Sequence, residues 1–261
     1  MEVVLLPSAD DAARMLADAI DALVRRRPDA VLGLATGSSP LLAYEELVDR
    51  HRRGSGPSYA AVRAFLLDEY VGLPAGHPQS YRATIERELT GHLDIDPRNV
   101  HAPDAGAEDL TDAGRRYDAA IAAAGGVDLQ VLGIGTDGHL AFNEPGSSLA
   151  SRTRLKTLTS RTREDNARFF GGTGDVPRHV MTQGLGTILE ARHLVLVASG
   201  SGKATAIAAA VEGPLTASCP ASVLQLHPHA TVLVDEAAGS RLQRRDYYRE
   251  TFMGKPAWQG L

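Results

Sequence analysis

The sequence from residue 131 to residue 148 reads VLGIGTDGHLAFNEPGSS. It starts within an apolar run, 127–134, that predicts a buried strand ending at the glycines Gly133 and Gly135. Four polar side chains follow within eight residues, and they are Asp137, His139, Asn143 and Glu144. Ligands of open α/β sheets bind beyond the carboxyl ends of the strands. The stretch therefore predicts both an α/β fold and the position of a site.

The polar side chains of this stretch suit acid–base chemistry. An imidazole with carboxylates on either side in sequence can exchange protons near neutral pH. The alternative is a polar loop whose acids cap turns, but such loops rarely place so many titratable groups between glycines and apolar residues. We therefore predict a site around His139.

Predicted strands and helices alternate along the rest of the chain and are joined by short turns. Strands are predicted at 2–6, 31–35, 62–67, 99–101, 127–134, 153–158, 193–198, 222–226 and 231–234. Helices are predicted at 9–26, 41–51, 79–91, 108–124, 161–170, 184–190, 204–211 and 242–252. This alternation is typical of a Rossmann-like α/β fold, with a doubly wound, mostly parallel sheet and helices on both faces. We find no domain boundary within residues 1–261.

The composition narrows the class of protein. The chain has 261 residues, of which 43% are hydrophobic, and its net charge of −5 argues against non-specific nucleic-acid binding. The single cysteine, Cys219, excludes an internal disulfide and fits the reducing cytoplasm. The N-terminus lacks the features of a signal peptide, and no apolar run approaches the ~18 residues of a membrane span. We expect a cytoplasmic protein that binds neither membrane nor nucleic acid.

Two small-residue turns follow predicted strands and open helices, and such turns bind anions through free backbone N–H groups. The first is Gly37-Ser38-Ser39, for which the alternative is an ordinary turn with Ser39 as the N-cap. The second ends at Lys203, one of only three lysines among 27 basic residues. A cation in the first turn of a helix is disfavoured unless an anion is present, so Lys203 is a predicted phosphate ligand.

Two adjacent acids, Asp68 and Glu69, follow the predicted strand at 62–67. Successive residues of a strand point to opposite faces, so one acid can enter a crevice while the other points away. We expect Asp68 to be the inward one.

Several common site motifs are excluded. Gly133, Gly135 and Gly138 form G-x-G-x-x-G, but Pro145 and Gly146 oppose the helix that a dinucleotide site needs. The acids and histidine of the stretch lack any familiar metal-site spacing, so we expect no metal. A G-x-S-x-G hydrolase elbow is also missing from the sequence.

Segments spread over nearly the whole chain resemble the glucosamine-6-phosphate deaminases, also called glucosamine-6-phosphate isomerases. They are LGLATGSSP at 32–40, LDEYVGLP at 67–74, HPQSY at 77–81, GIGTDGHLAFNEPGSSLASRTRLKTLT at 133–159, ARFF at 167–170, SGSGKATA at 199–206, AAVEG at 209–213 and LQLHP at 224–228. The resemblance implies that glucosamine 6-phosphate and water are converted to fructose 6-phosphate and ammonia, in amino sugar catabolism. It implies no redox cofactor.

The resemblance also implies roles for individual residues. Asp68 would move a proton between C2 and C1 of the sugar. His139 would open the pyranose ring, with Asp137 and Glu144 holding and tuning it. The phosphate would bind the Gly37–Ser39 turn. Arg168 and Lys203 would supply positive charge, and Tyr81 would lie near the active site.

Longer members of the family also bind N-acetylglucosamine 6-phosphate as an activator, at an interface within a hexamer. The positions that match this effector site are Ser147, Ser148, Arg154, Lys156, Thr157 and Tyr247, with Tyr248 as the alternative to Tyr247. A solvated strand face is the alternative explanation for Arg154 and Lys156. By resemblance, residues 158–180 would form a mobile lid over the active site, as their glycines suggest.

The sequence departs from the family pattern at a few places. Ala35 stands where proline is common, Ser38-Ser39 where Gly-Thr is common, Arg82 where an aromatic residue is common, and the loop 171–175 is divergent. Two alternative functions remain: a 6-phosphogluconolactonase of the same fold group, and a non-catalytic sugar-phosphate sensor. The residues 140–145, LAFNEP, favour the deaminase over the lactonase. A sensor could dispense with Asp68 and His139, which are both present.

Overall fold

The computed structural model describes residues 1–261, except for the side chains of Arg161, Asp165 and Ala257. The strands are Glu2–Leu6 (β1), Val31–Leu34 (β2), Arg63–Leu66 (β3), Asp68–Tyr70 (β4), Val100–His101 (β5), Leu129–Leu132 (β6), Arg154–Thr157 (β7), His179–Thr182 (β8), His193–Ala198 (β9) and Ala230–Asp235 (β10). The α-helices are Ala9–Arg26 (α1), Ser38–Arg52 (α2), Tyr81–Glu88 (α3), Leu110–Ala123 (α4), Ser160–Asn166 (α5), Leu185–Ile188 (α6), Ala204–Val211 (α7) and Arg245–Met253 (α8).

A seven-stranded sheet in the order β1-β10-β9-β6-β2-β3-β5 forms the centre of the fold, and all its paired strands are parallel. From β2 the chain proceeds outward to β3 and β5, then returns to β6 and proceeds the other way through β9. The strand order therefore reverses between β2 and β6. A crevice opens at such a switch point, beyond the carboxyl ends of the strands. The predicted doubly wound α/β fold is confirmed.

Helix α1 shows how the sequence specifies a layer of this fold. Ser8 caps it by accepting a hydrogen bond from the backbone N–H of Asp11, and acids in the first turn and arginines in the last complement the helix dipole. Leu16, Ile20 and Val24 lie on its buried face, at helical spacing. No described helix of the protein combines the length and the apolar composition needed to cross a membrane.

A second, antiparallel sheet in the order β4-β8-β7 lies beside the first. Strand β7 alternates in burial, so Arg154 and Lys156 share one half-buried face, as the sequence predicts. The pairing of β4 with β8 was not predicted, because it joins three residues to a partner more than 100 residues later in the chain.

The predicted strand at 222–226 is wrong. The structure has a 3₁₀ helix at Pro220–Leu226. Pro220 lacks the N–H that a sheet position requires and is well suited to begin a helical turn. The hydroxyl of Ser222 donates to the carbonyl of Thr216 at 3.0 Å and accepts from its N–H at 2.9 Å, which closes the preceding turn.

The buried His193, at the start of β9, predicts acid sensitivity. Burial first, then the neighbouring His229, lowers its pKa from the usual 6.5 to about 3. The unfolded chain therefore takes up a proton below pH 6.5 that the folded chain does not, and stability falls as the pH falls. We expect His193→Gln to reduce the loss of unfolding free energy between pH 7 and pH 5 by about 2 kcal/mol in urea titrations.

The exposed His92 provides the matched control. His92→Gln should lose as much stability between the two pH values as the unaltered protein. If His193→Gln lost as much unfolding free energy between pH 7 and pH 5 as the unaltered protein, His193 would not titrate in this way.

Candidate active site

The turn after β2 provides one wall of the crevice. Gly37 adopts φ 118°, a conformation that favours glycine, and α2 begins at the next residue. Ser39 is buried, and its hydroxyl lies 3.0 Å from that of Ser199 in the turn after β9. The alternative of Ser39 as an N-cap is wrong, because Gly37 occupies the N-cap. The N-terminus of a 15-residue helix and two hydroxyls therefore meet at one place.

Lys203 connects the turn after β9 to the loop after β6. Its Nζ donates to the carbonyl oxygen of Ile134 at 2.7 Å. Gly200, with φ 85°, donates its N–H to the carboxylate of Asp235 at 3.0 Å, which fixes the start of the same turn. Lys203 thus follows, in the same turn, the Ser199 that meets Ser39, and its ammonium lies at the loop after β6.

Asp137 and His139 form a pair at the carboxyl end of β6. His139 Nδ1 lies 2.7 Å from Asp137 Oδ1, although the ring N–H lacks hydrogen-bond alignment, and the backbone N–H of His139 donates to the same oxygen at 3.2 Å. The contact with His139 lowers the pKa of Asp137. A Cβ on Gly135 would lie 2.3 Å from the imidazole, so only glycine leaves room for the ring. The pair is a candidate acid–base couple.

Glu144 is buried, and the side-chain partners that the described residues give it come from residues 158–180. Thr159 Oγ1 donates to Glu144 Oε1 at 3.2 Å, and Thr162 Oγ1 donates to the same oxygen. Thr159 also caps α5. The described contacts of Glu144 therefore connect it to the predicted lid, whereas Asp137 is the acid in contact with His139.

Asp68 lies where β3 passes into β4, and its side chain is buried. Burial raises the pKa of this carboxyl well above its usual value, and the charge of neighbouring Glu69 adds to the effect. Glu69 has a structural role, because it accepts hydrogen bonds from the backbone N–H groups of Tyr81 and Arg82 at the start of α3, each at 2.9 Å. Glu69 therefore faces α3, and the prediction that Asp68 faces the crevice stays a prediction. A carboxyl with a raised pKa is a good proton carrier near neutral pH.

Tyr81 lies in an aromatic cluster beside Asp68. Its hydroxyl donates to that of Tyr70 at 3.2 Å, and its ring stacks on Phe142 with a centroid distance of 6.0 Å. Burial raises the pKa of Tyr81 well above its usual value, and the charge of Asp68 contributes. Tyr81 therefore lies within electrostatic reach of Asp68 and remains a neutral hydrogen-bonding group.

Arg168 lies outside this arrangement. Its side chain is exposed, and its guanidinium stands 4.7 Å from the centre of the Phe169 ring. The predicted phosphate contact would require Arg168 to move.

The predicted effector residues fall into two groups. Ser147 is buried with an unpartnered hydroxyl, Ser148 is exposed, and Arg154 donates to Asn143 Oδ1 at 2.9 Å. Tyr247 is 60% exposed on α8, which packs against the edge strand β1. Arg154 and Lys156 thus lie on a strand of the antiparallel sheet, whereas Tyr247 lies on a helix that packs against the edge of the parallel sheet.

Three contacting residues were not predicted as site residues, and they are Ser199, Thr159 and Thr162. Ser199 stands at the start of a turn whose sequence, SGSGK, already indicated an anion site. The spacing of Thr159 and Thr162 indicates a capped helix, but nothing in it indicates that Glu144 would be their partner.

Among the described residues, no group of three or more His, Cys, Asp or Glu side chains could hold a metal ion.

A family model described as glucosamine-6-phosphate isomerases/6-phosphogluconolactonase matches residues 7–233, and the chain belongs to this family. Within it, the chain is 63% identical over 261 residues, the whole of both chains, to a glucosamine-6-phosphate deaminase of Arthrobacter sp. (strain FB24). A solved monomeric glucosamine-6-phosphate deaminase is 37% identical with a TM-score of 0.89, covering 92% of this chain and 100% of its own. The 6-phosphogluconolactonase from Trypanosoma cruzi is 19% identical with a TM-score of 0.74, covering 93% and 97%, and shares the fold.

Proposed function

We propose that this protein converts glucosamine 6-phosphate and water to fructose 6-phosphate and ammonia. The observation that carries the proposal is Asp68, a buried carboxyl with a raised pKa at the crevice of a chain 63% identical to a deaminase. The other two functions are not favoured, because the lactonase likeness extends to the fold alone and a sensor would need neither Asp68 nor His139.

The first chemical step is ring opening at His139. The C1–O5 bond breaks while O5 gains a proton and the C1 hydroxyl loses one, which a single imidazole can transfer in both directions. Asp137 holds the ring through its 2.7 Å contact and stabilises the imidazole when it carries a proton. The described hydrogen bonds of Glu144, from Thr159 and Thr162, both reach Oε1 and hold its carboxylate beside the first turn of the proposed lid.

The second step is proton transfer at Asp68. The carboxylate takes the proton from C2 of the open-chain sugar and returns it to C1, while O1 gains a proton and the amine nitrogen gives one up, which leaves a hydroxyl at C1 and an imine at C2. Water adds to the imine, and the C–N bond breaks to give ammonia and the ketone. The raised pKa of Asp68 suits both halves of this transfer, because the group must take up and release a proton near neutral pH.

The phosphate binds where the helix N-terminus at Gly37–Ser39 meets Ser199 and Lys203. Helix amides, two hydroxyls and an ammonium provide charge-assisted hydrogen bonds to a dianion. Arg168 would add to them when residues 158–180 close as a lid over the substrate. Contacts of Thr159 and Thr162 with Glu144 support the proposed lid, because they connect its first turn to the catalytic loop.

The effector site and the hexamer are part of this proposal. The unpartnered hydroxyl of buried Ser147 and the shared face of Arg154 and Lys156 support an anion site beside the catalytic loop. The solved deaminase at 37% identity is monomeric, so activation and assembly need separate tests. We expect N-acetylglucosamine 6-phosphate to raise ammonia release only if sedimentation shows an oligomer.

The single Cys219 supports a cytoplasmic location.

The stoichiometry of the products tests the proposed function. Incubation with glucosamine 6-phosphate should release fructose 6-phosphate and ammonia in equal amounts, without any added metal or nucleotide cofactor. Fructose 6-phosphate without ammonia, or neither product, would refute the proposal.

Lys203→Ala should weaken substrate binding. Its loss removes the ammonium expected to contact the phosphate, so we expect KM to rise by about 10- to 100-fold while kcat changes less. Lys255→Ala is the matched control, because Lys255 pairs with Glu2 at the far end of the sheet, at 2.6 Å. An unchanged KM in Lys203→Ala, measured by ammonia release, would remove Lys203 from the phosphate site.

A further inference from the structure

The segment Thr216–Ser222, here called the brace, contacts both ends of the catalytic loop 138–146. The backbone N–H of Ala221 donates to the carbonyl of Gly138 at 2.8 Å. The N–H of Gly146 donates to the carbonyl of Ala217, also at 2.8 Å. His139 and Glu144 lie between these two hydrogen bonds, so one segment sets the spacing of the loop that carries them.

A third contact comes from the side chain of Cys219. Gly138, between Asp137 and His139, adopts φ 85°, and a Cβ placed on it would lie 2.6 Å from Cys219 Sγ. The thiol therefore packs directly against the backbone that separates the two members of the candidate acid–base pair. Cys219 is buried, and burial raises the pKa of its thiol, with the charge of Asp137 adding to the effect. Such a thiol is a packing group rather than a nucleophile.

The brace is itself held firmly. The buried Ser222 closes its turn through two hydrogen bonds to the backbone of Thr216, and Pro220 begins the 3₁₀ helix that follows. Cys219 and Ala221 belong to the main hydrophobic core. Residues 133–139, which lead from β6 into the catalytic loop, have no regular secondary structure. Because packed cores deform little, we expect the brace to keep this part of the chain as rigid as the core.

We propose that the brace is a positioning element for the Asp137–His139 pair, with Cys219 as the residue that fixes Gly138 between them. This inference rests on the proposed function for its kinetic consequences but not for its structural ones. Extra volume at Cys219 must displace Gly138, since the two already touch. A displacement of about 1 Å at a catalytic pair can cost on the order of 100-fold in rate.

The test compares Cys219→Leu with Ser218→Leu, which adds a large side chain at the exposed neighbouring position. We expect Cys219→Leu to lower kcat about 10- to 100-fold with KM within about threefold. We also expect the pKa of Asp137, followed by carboxyl-carbon NMR, to rise towards its ordinary value, because the contact with His139 that lowers it is lost. Ser218→Leu should change neither quantity, and the near-isosteric Cys219→Ser should recover most of kcat.

Ser222→Ala replaces Cys219→Leu in this test if Cys219→Leu does not fold. It removes the two hydrogen bonds to Thr216 and so loosens the same turn without adding volume. An unaltered Asp137 pKa and kcat in a folded Cys219→Leu or Ser222→Ala variant would overturn the proposal. A rise in KM alone would overturn it as well, since that would place the effect on binding. If the unaltered protein released no ammonia, the proposed function would fail, while the Asp137 titration would still decide whether the brace positions the pair.

Discussion

Asp68→Asn is expected to lower kcat for ammonia release by about 10³-fold or more, because the amide cannot carry the proton from C2 to C1. The same change should raise stability at pH 7. Unfolded Asp68 ionises near 3.8, whereas burial keeps the folded group protonated to higher pH, so folding at neutral pH works against its ionisation. The side-chain amide of the Asp68→Asn variant does not ionise, so ionisation does not oppose its folding. The unfolding midpoint in urea should therefore rise at pH 7, and the gain should vanish near pH 3, where both states of Asp68 are protonated.

Glu69→Gln is the matched control, since it alters the adjacent carboxylate. Glu69 accepts hydrogen bonds from three backbone N–H groups, of Tyr70, Tyr81 and Arg82. We expect this variant to lose about 1–2 kcal/mol of stability and to keep far more of its kcat than Asp68→Asn. Equal losses of kcat in the two variants would mean that Asp68 acts through structure rather than as a proton carrier.

His139→Gln is expected to lower kcat by about 10²- to 10³-fold, because the substrate would have to open its ring without the imidazole. The proton transfer between C2 and C1 at Asp68 should still take place in this variant. In the presence of ammonia, exchange of a C1 proton of open-chain fructose 6-phosphate with D₂O requires the imine at C2 and the transfer at Asp68, but no pyranose ring. NMR should therefore detect this exchange in His139→Gln and not in Asp68→Asn.

Asp137→Asn distinguishes orientation from charge at the same pair. The amide can still hold the imidazole but cannot stabilise its protonated form, so we expect a loss of kcat of about tenfold or more, smaller than that of His139→Gln.

If C1 exchange were lost in His139→Gln to the same extent as ammonia release, His139 would belong to the proton-transfer step and not to ring opening.

Local patterns in the sequence predicted the main sheet and its crevice. Helix α1 was predicted with its observed ends because its apolar residues recur at helical spacing and Pro28 follows it, and β9 because residues 194–198 form an uninterrupted apolar run. Strand geometry alone also predicted that Asp68 and Glu69 face opposite ways, and Glu69 hydrogen-bonds the start of α3. These features depend on residues close together in the chain.

The features that sequence did not predict depend on distant residues. Strand β4 has only three residues and exists because β8 pairs with it. Ser222 belongs to a 3₁₀ helix and not to a strand, and its hydroxyl bonds the backbone of Thr216 six residues earlier. Glu144 was expected beside His139, and its hydrogen bonds to Thr159 and Thr162 became visible only once the chain was folded. Arg168 was expected at the phosphate, and the structure places its exposed side chain over the Phe169 ring instead.

The most direct test of the account compares two substrates on one preparation of the protein. Ammonia release from glucosamine 6-phosphate and hydrolysis of 6-phosphogluconolactone require different chemistry in the same fold. We expect kcat/KM for the amino sugar phosphate to exceed that for the lactone by about 10³-fold or more, because Asp68 and His139 serve proton transfer at carbon and ring opening. Lactone hydrolysis without ammonia release would contradict the central claim.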